Sequence, residues 1–256
     1  MPRPQIKNKF AVIGNPLSQS YSKTYWNEKF QKKGMTSFFY DAIELKTIKL
    51  FSEFISSNDN LKGFNVTIPY KESVMQYLDN IDPIANEIGA VNTVKVETID
   101  NKKVLSGYNT DWIGFKLAIE PMVKQYHKKA LVLGTGGASK AVIYTLKKMG
   151  ISVTQVSRFK EGCLNYGDIT EDVIKEHLII VNATPVGSFP AVTKCPDIPY
   201  EAITERHIVL DLIYNPIRTL FLQQAELKGA DIKNGWEMFV GQAEESWKIL
   251  ISDPSL

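Results

Sequence analysis

Short apolar runs alternate along the chain with longer stretches in which apolar residues recur every three or four positions. The first pattern suits strands buried on both faces, and the second suits helices with one covered face. The run 10–13 stops at Gly14-Asn15-Pro16, and a polar loop leads into a helical stretch at about 22–34. A second strand is expected over 37–43, a helix near 47–56, and a third strand over 63–68. Pro69 then suits the first turn of another helix, which would put Lys71 in its opening turn. Residues 91–99 and 103–108 read as an antiparallel pair around the polar turn Asp100-Asn101.

The second half repeats the alternation. A helix is expected over 111–126, then a strand over 130–133, a glycine-rich turn at 134–137 and a helix to 149. Later strands fall at 152–156, 178–181 and 208–213, with helices near 219–227 and 236–251. Strands alternating with helices predict an α/β fold whose sheets are mostly parallel. The segment 159–171 is short for a full crossover helix, so the second sheet is expected to be trimmed there.

Composition narrows the function classes. The 256 residues leave room for two domains, and 44% apolar with 23% charged residues describes an ordinary folded protein. Lysine and arginine number 30 against 28 acids, a net charge of +2 without a long run of one sign. No nucleic-acid or membrane-surface partner is expected on that balance. Cys163, Cys195 and the histidines at 127, 177 and 207 have no ligand spacing, so neither a metal nor a disulfide framework is expected. The polar N-terminus and the lack of a long apolar segment predict a cytoplasmic protein. Nothing in the sequence decides between monomer and homodimer.

The strand 130–133 runs into Gly134-Thr135-Gly136-Gly137-Ala138-Ser139, the context of a dinucleotide-binding turn. Gly134 permits the tight turn, Gly136 lets backbone approach a pyrophosphate, and the N–H groups of Gly137 and Ala138 open the helix that would bind the anion. Ser139 departs from the third glycine of the pattern. About twenty residues on, where an acid would hydrogen-bond a free ribose hydroxyl, the chain has Ser157-Arg158-Phe159-Lys160. Arg158 can pair bidentately with a 2′-phosphate, with Lys160 and Ser157 beside it, so NADP is favoured over NAD. Isolated basic residues are solvated by default; the position after a strand singles these out.

In the first half, Ser20 and Ser22 follow the first strand, and Thr67 and Lys71 follow the third. Asn92-Thr93 and Asn109-Thr110-Asp111 add further polar groups near strand ends. The carboxyl ends of parallel strands are where open α/β sheets bind ligands, and this mixture suits a small polyhydroxylated molecule.

Together these motifs resemble the shikimate/quinate dehydrogenase family, in family order from Phe10 to about Leu250. The resemblance implies two open α/β domains, a substrate domain at 1–108 and a Rossmann-like NADP-binding domain at 109–235. The last helix, 236–256, would pack back on the first domain, with the active site in the cleft. It implies NADPH-dependent, reversible reduction of 3-dehydroshikimate to shikimate on the route to chorismate and the aromatic amino acids. Ser20 and Ser22 would hold the substrate carboxylate, and Thr67, Lys71, Asn92, Asp111, Tyr214 and Gln242 the rest of that molecule. Gly134, Gly136, Gly137, Ala138, Ser157, Arg158, Lys160, Asn182, Thr184, Leu212 and Gly235 would hold the cofactor. The chain departs from the common family pattern at Lys23, Trp26, Trp112, Ser188 and Glu237, without loss of a residue the chemistry needs.

Hydride transfer to a ketone requires a proton for the developing alkoxide. Lys71 is the expected donor, eased toward proton loss by the positive end of its helix, with Asp111 acting in the opposite sense and orienting it. A quinate or other shikimate-like dehydrogenase is the near alternative. A catalytically silent NADP-binding regulator is the distant one, and it would have no need of Lys71 and Asp111 together.

Overall fold

The opening apolar run forms β1 (Asn8–Gly14), buried from Phe10 onward. Its side chains alternate between two faces: Ala11 and Ile13 join a core with Phe51, Phe54, Phe64 and Val74, while Phe10 and Val12 face Trp26, Phe30 and Tyr40. A strand apolar on both sides belongs in the middle of a covered sheet. The computed structural model describes residues 7–18 and 20–251, which divide into two units, one ending at Thr110 and resuming at Ala243, the other Asp111–Gln242.

The first unit holds β1, β2 (Phe38–Glu44), β3 (Leu61–Val66), β4 (Asn80–Ile81), β5 (Thr93–Ile99) and β6 (Lys102–Tyr108) in the sheet order β2-β1-β3-β5-β6-β4. β1 runs parallel to β2 and β3, and β5 antiparallel to β3 and β6. Asp100 and Asn101, at φ 49 and 61, form the two-residue turn of the β5–β6 hairpin, a backbone that short polar side chains tolerate. The helices are α1 (Ser22–Lys32), α2 (Phe51–Ser56) and α3 (Pro83–Ile88). α3 has every local signal of a helix: Asp82 caps it, Pro83 opens it and Gly89 closes it at φ 71.

The second unit carries a sheet of parallel strands, β7 (Lys129–Leu133), β8 (Ser152–Val156), β9 (Ile179–Asn182), β10 (Ile208–Asp211) and β11 (Asp231–Lys233), in the order β11-β10-β9-β7-β8. Its helices are α4 (Asp111–Ile119), α5 (Gly137–Lys148), α6 (Glu171–Glu176) and α7 (Leu220–Glu226). The last helix, α8 (Trp236–Leu250), is divided: residues to Gln242 belong to the second unit and those from Ala243 to the first. In the first unit Trp247 packs edge-on against Phe10 at 5.7 Å and lies 5.3 Å from Trp26, and Leu250 rests on Gly63, where a Cβ would meet it at 2.3 Å.

Two expectations need correction. No α-helix follows Pro69; the chain turns through Lys71 and Glu72 into a 3-10 helix, Ser73–Tyr77. Buried Tyr70, whose hydroxyl donates to the Leu45 carbonyl, anchors that turn in the core, so Lys71 does not stand in the opening turn of an α-helix and the expected dipole of such a helix is missing. The helix expected over 111–126 stops at Ile119 and passes into a 3-10 turn, Glu120–Met122, because Pro121 lacks an N–H and crowds the preceding turn. The crossover between β8 and β9 is short, as expected: its helix, α6, has six residues.

The histidines have structural partners. His127 Nδ1 accepts from the Lys124 N–H and Nε2 lies 3.0 Å from the Arg206 carbonyl; His207 repeats the arrangement with Thr204 and Ile174. Burial pushes both below the usual histidine range, so they are neutral loop pins. Among the described residues no group of three or more His, Cys, Asp or Glu could hold a metal ion, and no helix is long and apolar enough to cross a membrane.

Candidate active site

In the first unit, the loop bearing Ser20 and Ser22 is laced to the loop bearing Thr67 and Lys71. The Asn15 N–H donates to the Ile68 carbonyl at 3.0 Å and the Thr67 N–H to the Ile13 carbonyl at 2.9 Å. Gly14 makes this possible, since a Cβ there would lie 2.5 Å from the Thr67 methyl. Ser20 is tied back to the Leu17 carbonyl, and Leu17 to the Glu44 carboxylate. The Lys71 carbonyl accepts from the Val91 N–H at 2.7 Å, which ties the lysine loop to the segment ending in Asn92.

Beneath these loops runs a buried polar network that the sequence did not disclose. Ser22 hydrogen-bonds the phenol of Tyr40, and burial holds that phenol well above its usual range, so it stays protonated. Tyr40 donates to Asn65 Oδ1 at 2.7 Å, so Ser22 supplies the proton in its own bond to Tyr40. Donating to a ligand carboxylate therefore requires the Ser22 hydroxyl to rotate, leaving Tyr40 held by Asn65. Asn65 Nδ2 shares its two N–H groups among the Asn92 carbonyl, Thr93 Oγ1 and Ser246 Oγ, each at 3.0–3.1 Å. Ser246, on the second half of α8, meets Thr93 at 2.7 Å and Thr110 at 2.9 Å. Asn92 Oδ1 accepts from the Thr110 N–H at 2.7 Å and Asn92 Nδ2 donates to Thr110 Oγ1 at 2.9 Å. Asn92 and Ser22 are thereby joined through bonded groups, and a network so well satisfied in a low-dielectric interior fixes each member's orientation.

In the second unit the glycine turn has the expected form. Gly134 sits at φ 113 with its N–H on the Val156 carbonyl, and a Cβ there would meet Ala183 and Thr184 at 3.0 Å. Gly136 caps α5 and nothing lies within 4 Å of where its Cβ would be, so the start of the helix has open space beside it, as an anion site at a helix N-terminus requires. Ser139, the departure from the glycine pattern, is fully buried, and its hydroxyl turns back to the Gly136 carbonyl at 2.7 Å. The residue that departs from the pattern thus ties the turn to the start of α5. After β8 the Ser157 hydroxyl accepts from the N–H groups of Phe159 and Lys160, folding the loop so that Arg158 lies exposed, its guanidinium 5.3 Å from the Phe159 ring. An open helix N-terminus and an adjacent exposed guanidinium fit a 2′-phosphorylated dinucleotide.

The remaining positions lie at the ends of β9 and β10 and along α8. Asn182 ends β9, and its Oδ1 accepts from the N–H and hydroxyl of Thr184 at 3.1 and 2.6 Å. Leu212 follows β10, and a Cβ on Gly235 would fall 2.0 Å from its carbonyl. Gly235→Ala therefore forces the start of α8 away from β10; the expected result is a destabilisation of at least about 1–3 kcal/mol, read as a lowered denaturation midpoint. Tyr214 packs against Trp236 and Phe239, at 6.1 and 5.1 Å between rings. Gly114 and Gly241 bring α4 and α8 together: a Cβ on Gly114 would meet the Met238 carbonyl at 2.4 Å and Gln242 Cβ at 3.0 Å. Gln242 thus stands beside the first turns of α4, which buried Asp111 opens.

The family departures have local explanations. Lys23 pairs with Asp41 at 2.9 Å, and Trp26 belongs to the aromatic core. Trp112 packs edge-on against Tyr144, Ser188 donates to the Pro185 carbonyl, and Glu237 pairs with Lys233.

Known proteins resemble this chain in sequence and architecture. Residues 12–94 match the family described as the shikimate dehydrogenase substrate binding domain. The chain is 36% identical to shikimate dehydrogenase (NADP(+)) of Caldicellulosiruptor saccharolyticus, over 94% of this chain and 91% of that protein. It is similar to the crystal structure of shikimate dehydrogenase from Aquifex aeolicus, with a TM-score of 0.82 and 34% identity over 99% of this chain and 94% of the other. It is also similar to the Thermus thermophilus enzyme solved in complex with NADP(H) and shikimate, with a TM-score of 0.81 and 30% identity over 96% and 95% of the two chains. On these grounds, with the two-sheet α/β architecture described above, the chain belongs to the shikimate dehydrogenase family.

Proposed function

We propose that the chain is an NADP-dependent oxidoreductase that interconverts 3-dehydroshikimate and shikimate, supplying the route to chorismate and the aromatic amino acids. The likeness to NADP-dependent shikimate dehydrogenases over 94% of the chain carries this reading. On it, 1–108 is the substrate domain and 109–235 the NADP-binding domain. When bound, NADPH supplies the hydride. Gly134, Gly136, Gly137 and Ala138 cradle its pyrophosphate. Ser157, Arg158 and Lys160 take the 2′-phosphate. Asn182, Thr184, Leu212 and Gly235 line the nicotinamide side.

Ser20 and Ser22 hold the substrate carboxylate with neutral donors, Ser22 re-aiming its proton from Tyr40. Thr67, Asn92, Tyr214 and Gln242 contact the rest of the ring. Lys71 gives a proton to the oxygen that becomes the alcohol, and Asp111 orients the ammonium and accepts from a ring hydroxyl. Arg158 and Lys160 favour this reading over an NAD-linked quinate dehydrogenase, because a 2′-phosphate satisfies two cations that NAD leaves without an anion.

The test is an assay of purified protein with shikimate or quinate and NADP or NAD, following the absorbance of the reduced nicotinamide. Shikimate with NADP is expected to be the best pair. Absence of turnover with every pair would leave the silent regulator as the reading.

A further inference from the structure

Asp211, at the end of β10, is fully buried, and the chemistry proposed above makes no use of it. Its Oδ1 accepts from the Asn182 amide at 3.0 Å and from the Ile213 N–H at 3.1 Å, and its Oδ2 accepts from the Thr219 hydroxyl at 2.6 Å. All three partners are donors, an arrangement that suits a carboxylate and leaves a carboxylic acid one proton too many. Asn182 in turn fixes the following loop. Its Oδ1 holds Thr184 and its Nδ2 donates to the Val186 carbonyl at 3.2 Å, while Thr184 Oγ1 accepts from the Val186 N–H. That loop packs on the dinucleotide turn, since the Ala183 N–H donates to the Leu133 carbonyl and Ala183 and Thr184 are what a Cβ on Gly134 would strike.

We propose that Asp211 is a positioning residue for cofactor binding: its ionised form orients Asn182, and through it the loop at Thr184, so that affinity for NADPH follows the charge on a buried carboxylate. The inference rests on the NADP-binding reading above and deepens it. Protonation at Oδ2 obliges the acid to donate to Thr219 Oγ1, which reverses that bond and turns the threonine proton away. The same hydroxyl oxygen caps α7 through the Leu222 N–H, so the reversal is felt at the helix. At the loop, Oδ1 becomes the carbonyl oxygen of a neutral acid and holds the Asn182 amide with an ordinary hydrogen bond in place of a charge-assisted one.

Burial pushes Asp211 up to about 7, against the opposing pull of its three donors, so the switch falls in an accessible range. The groups bonded to it from β9, from the turn before α7 and from the end of its own strand are neutral. The Tyr200 phenol lies near enough to feel its charge, with Cys195 and Asp197 around that phenol; burial first, then Cys195, holds Tyr200 far above its usual range and therefore protonated. On β11, Lys233 stands in register with Leu210 and is paired with Glu237.

The experiment compares wild type with Asp211→Asn, which is neutral at every pH, by the KM for NADPH and kcat between about pH 6 and 8.5. The 2′-phosphate titrates in both proteins, so the ratio of the two KM values isolates residue 211. The ratio of variant to wild type is expected to rise about tenfold from the acid to the alkaline end, with kcat at saturating NADPH within about twofold throughout. Thr219→Val is the second variant: it removes a donor to the carboxylate, and the wild-type midpoint should move to higher pH. Parallel pH profiles for wild type and both variants would overturn the inference while leaving the NADP reading intact. A wild type that fails to bind NADPH would overturn both.

Discussion

Lys71→Ala is expected to lower kcat by about 10²–10⁴-fold, the span of a positioned general acid, with little change in the dissociation constant for shikimate. The proton is needed only as the ketone oxygen gains charge, so losing its donor falls on the transition state and spares ground-state binding. The lysine loop should survive the change. Its backbone is held by the Val91 N–H on the residue 71 carbonyl, and neighbouring Tyr70 is anchored in the core through Leu45, neither of which involves the Lys71 side chain. Steady-state kinetics in both directions, with shikimate affinity measured separately by ligand titration, give the two numbers. A variant that loses affinity and turnover in equal measure would make Lys71 a binding residue and move the proton to another group.

Arg158→Ala is expected to raise the KM for NADPH by about 10- to 100-fold and to change the KM for NADH little. A hydrogen bond between charged groups contributes about 1.5–3 kcal/mol, and the guanidinium can make two to one phosphate. The loss should be specific to the 2′-phosphate because the positions proposed for the pyrophosphate and the nicotinamide are elsewhere, on the α5 turn and at the ends of β9 and β10. The loop's shape does not depend on the arginine, since Ser157 folds it through the N–H groups of Phe159 and Lys160. Equal losses for both nucleotides would assign Arg158 to adenine or to loop structure.

The long strands were legible because β1, β3, β7, β9 and β10 are runs of buried apolar side chains, and the hairpin because Asp100-Asn101 can only turn. β4 and β11 escaped, since strands of two and three residues carry no period. α6, at six residues, is too short to show a helical period, whereas α3 carries clear signals in Asp82, Pro83 and Gly89 that a reading by period alone passes over. Pro69 misled, because the same residue that opens α-helices also serves a turn anchored by a buried tyrosine. At the candidate site, residues at strand ends were readable as polar punctuation after apolar runs. Their buried supports were not: Thr93 and Thr110 stood out only as polar groups near strand ends, and Tyr40 and Ser246 not at all, although all four meet Asn65 or Asn92 from separate elements, with Asn65 and Ser246 181 positions apart. Local pattern carries no record of such a meeting. The one clue was polar residues such as Asn65 and Asp211 standing inside strands that are otherwise apolar.

The division of α8 has a consequence for how the chain matures. A ribosome releases everything the second unit needs by the time Gln242 emerges, but the first unit, begun earliest, is completed last. Until Trp247 and Leu250 arrive, Phe10, Trp26 and Gly63 lack the partners that cover them. A nascent or truncated polypeptide ending before residue 243 would therefore carry a sticky aromatic face, a target for chaperones and proteases that the finished molecule hides.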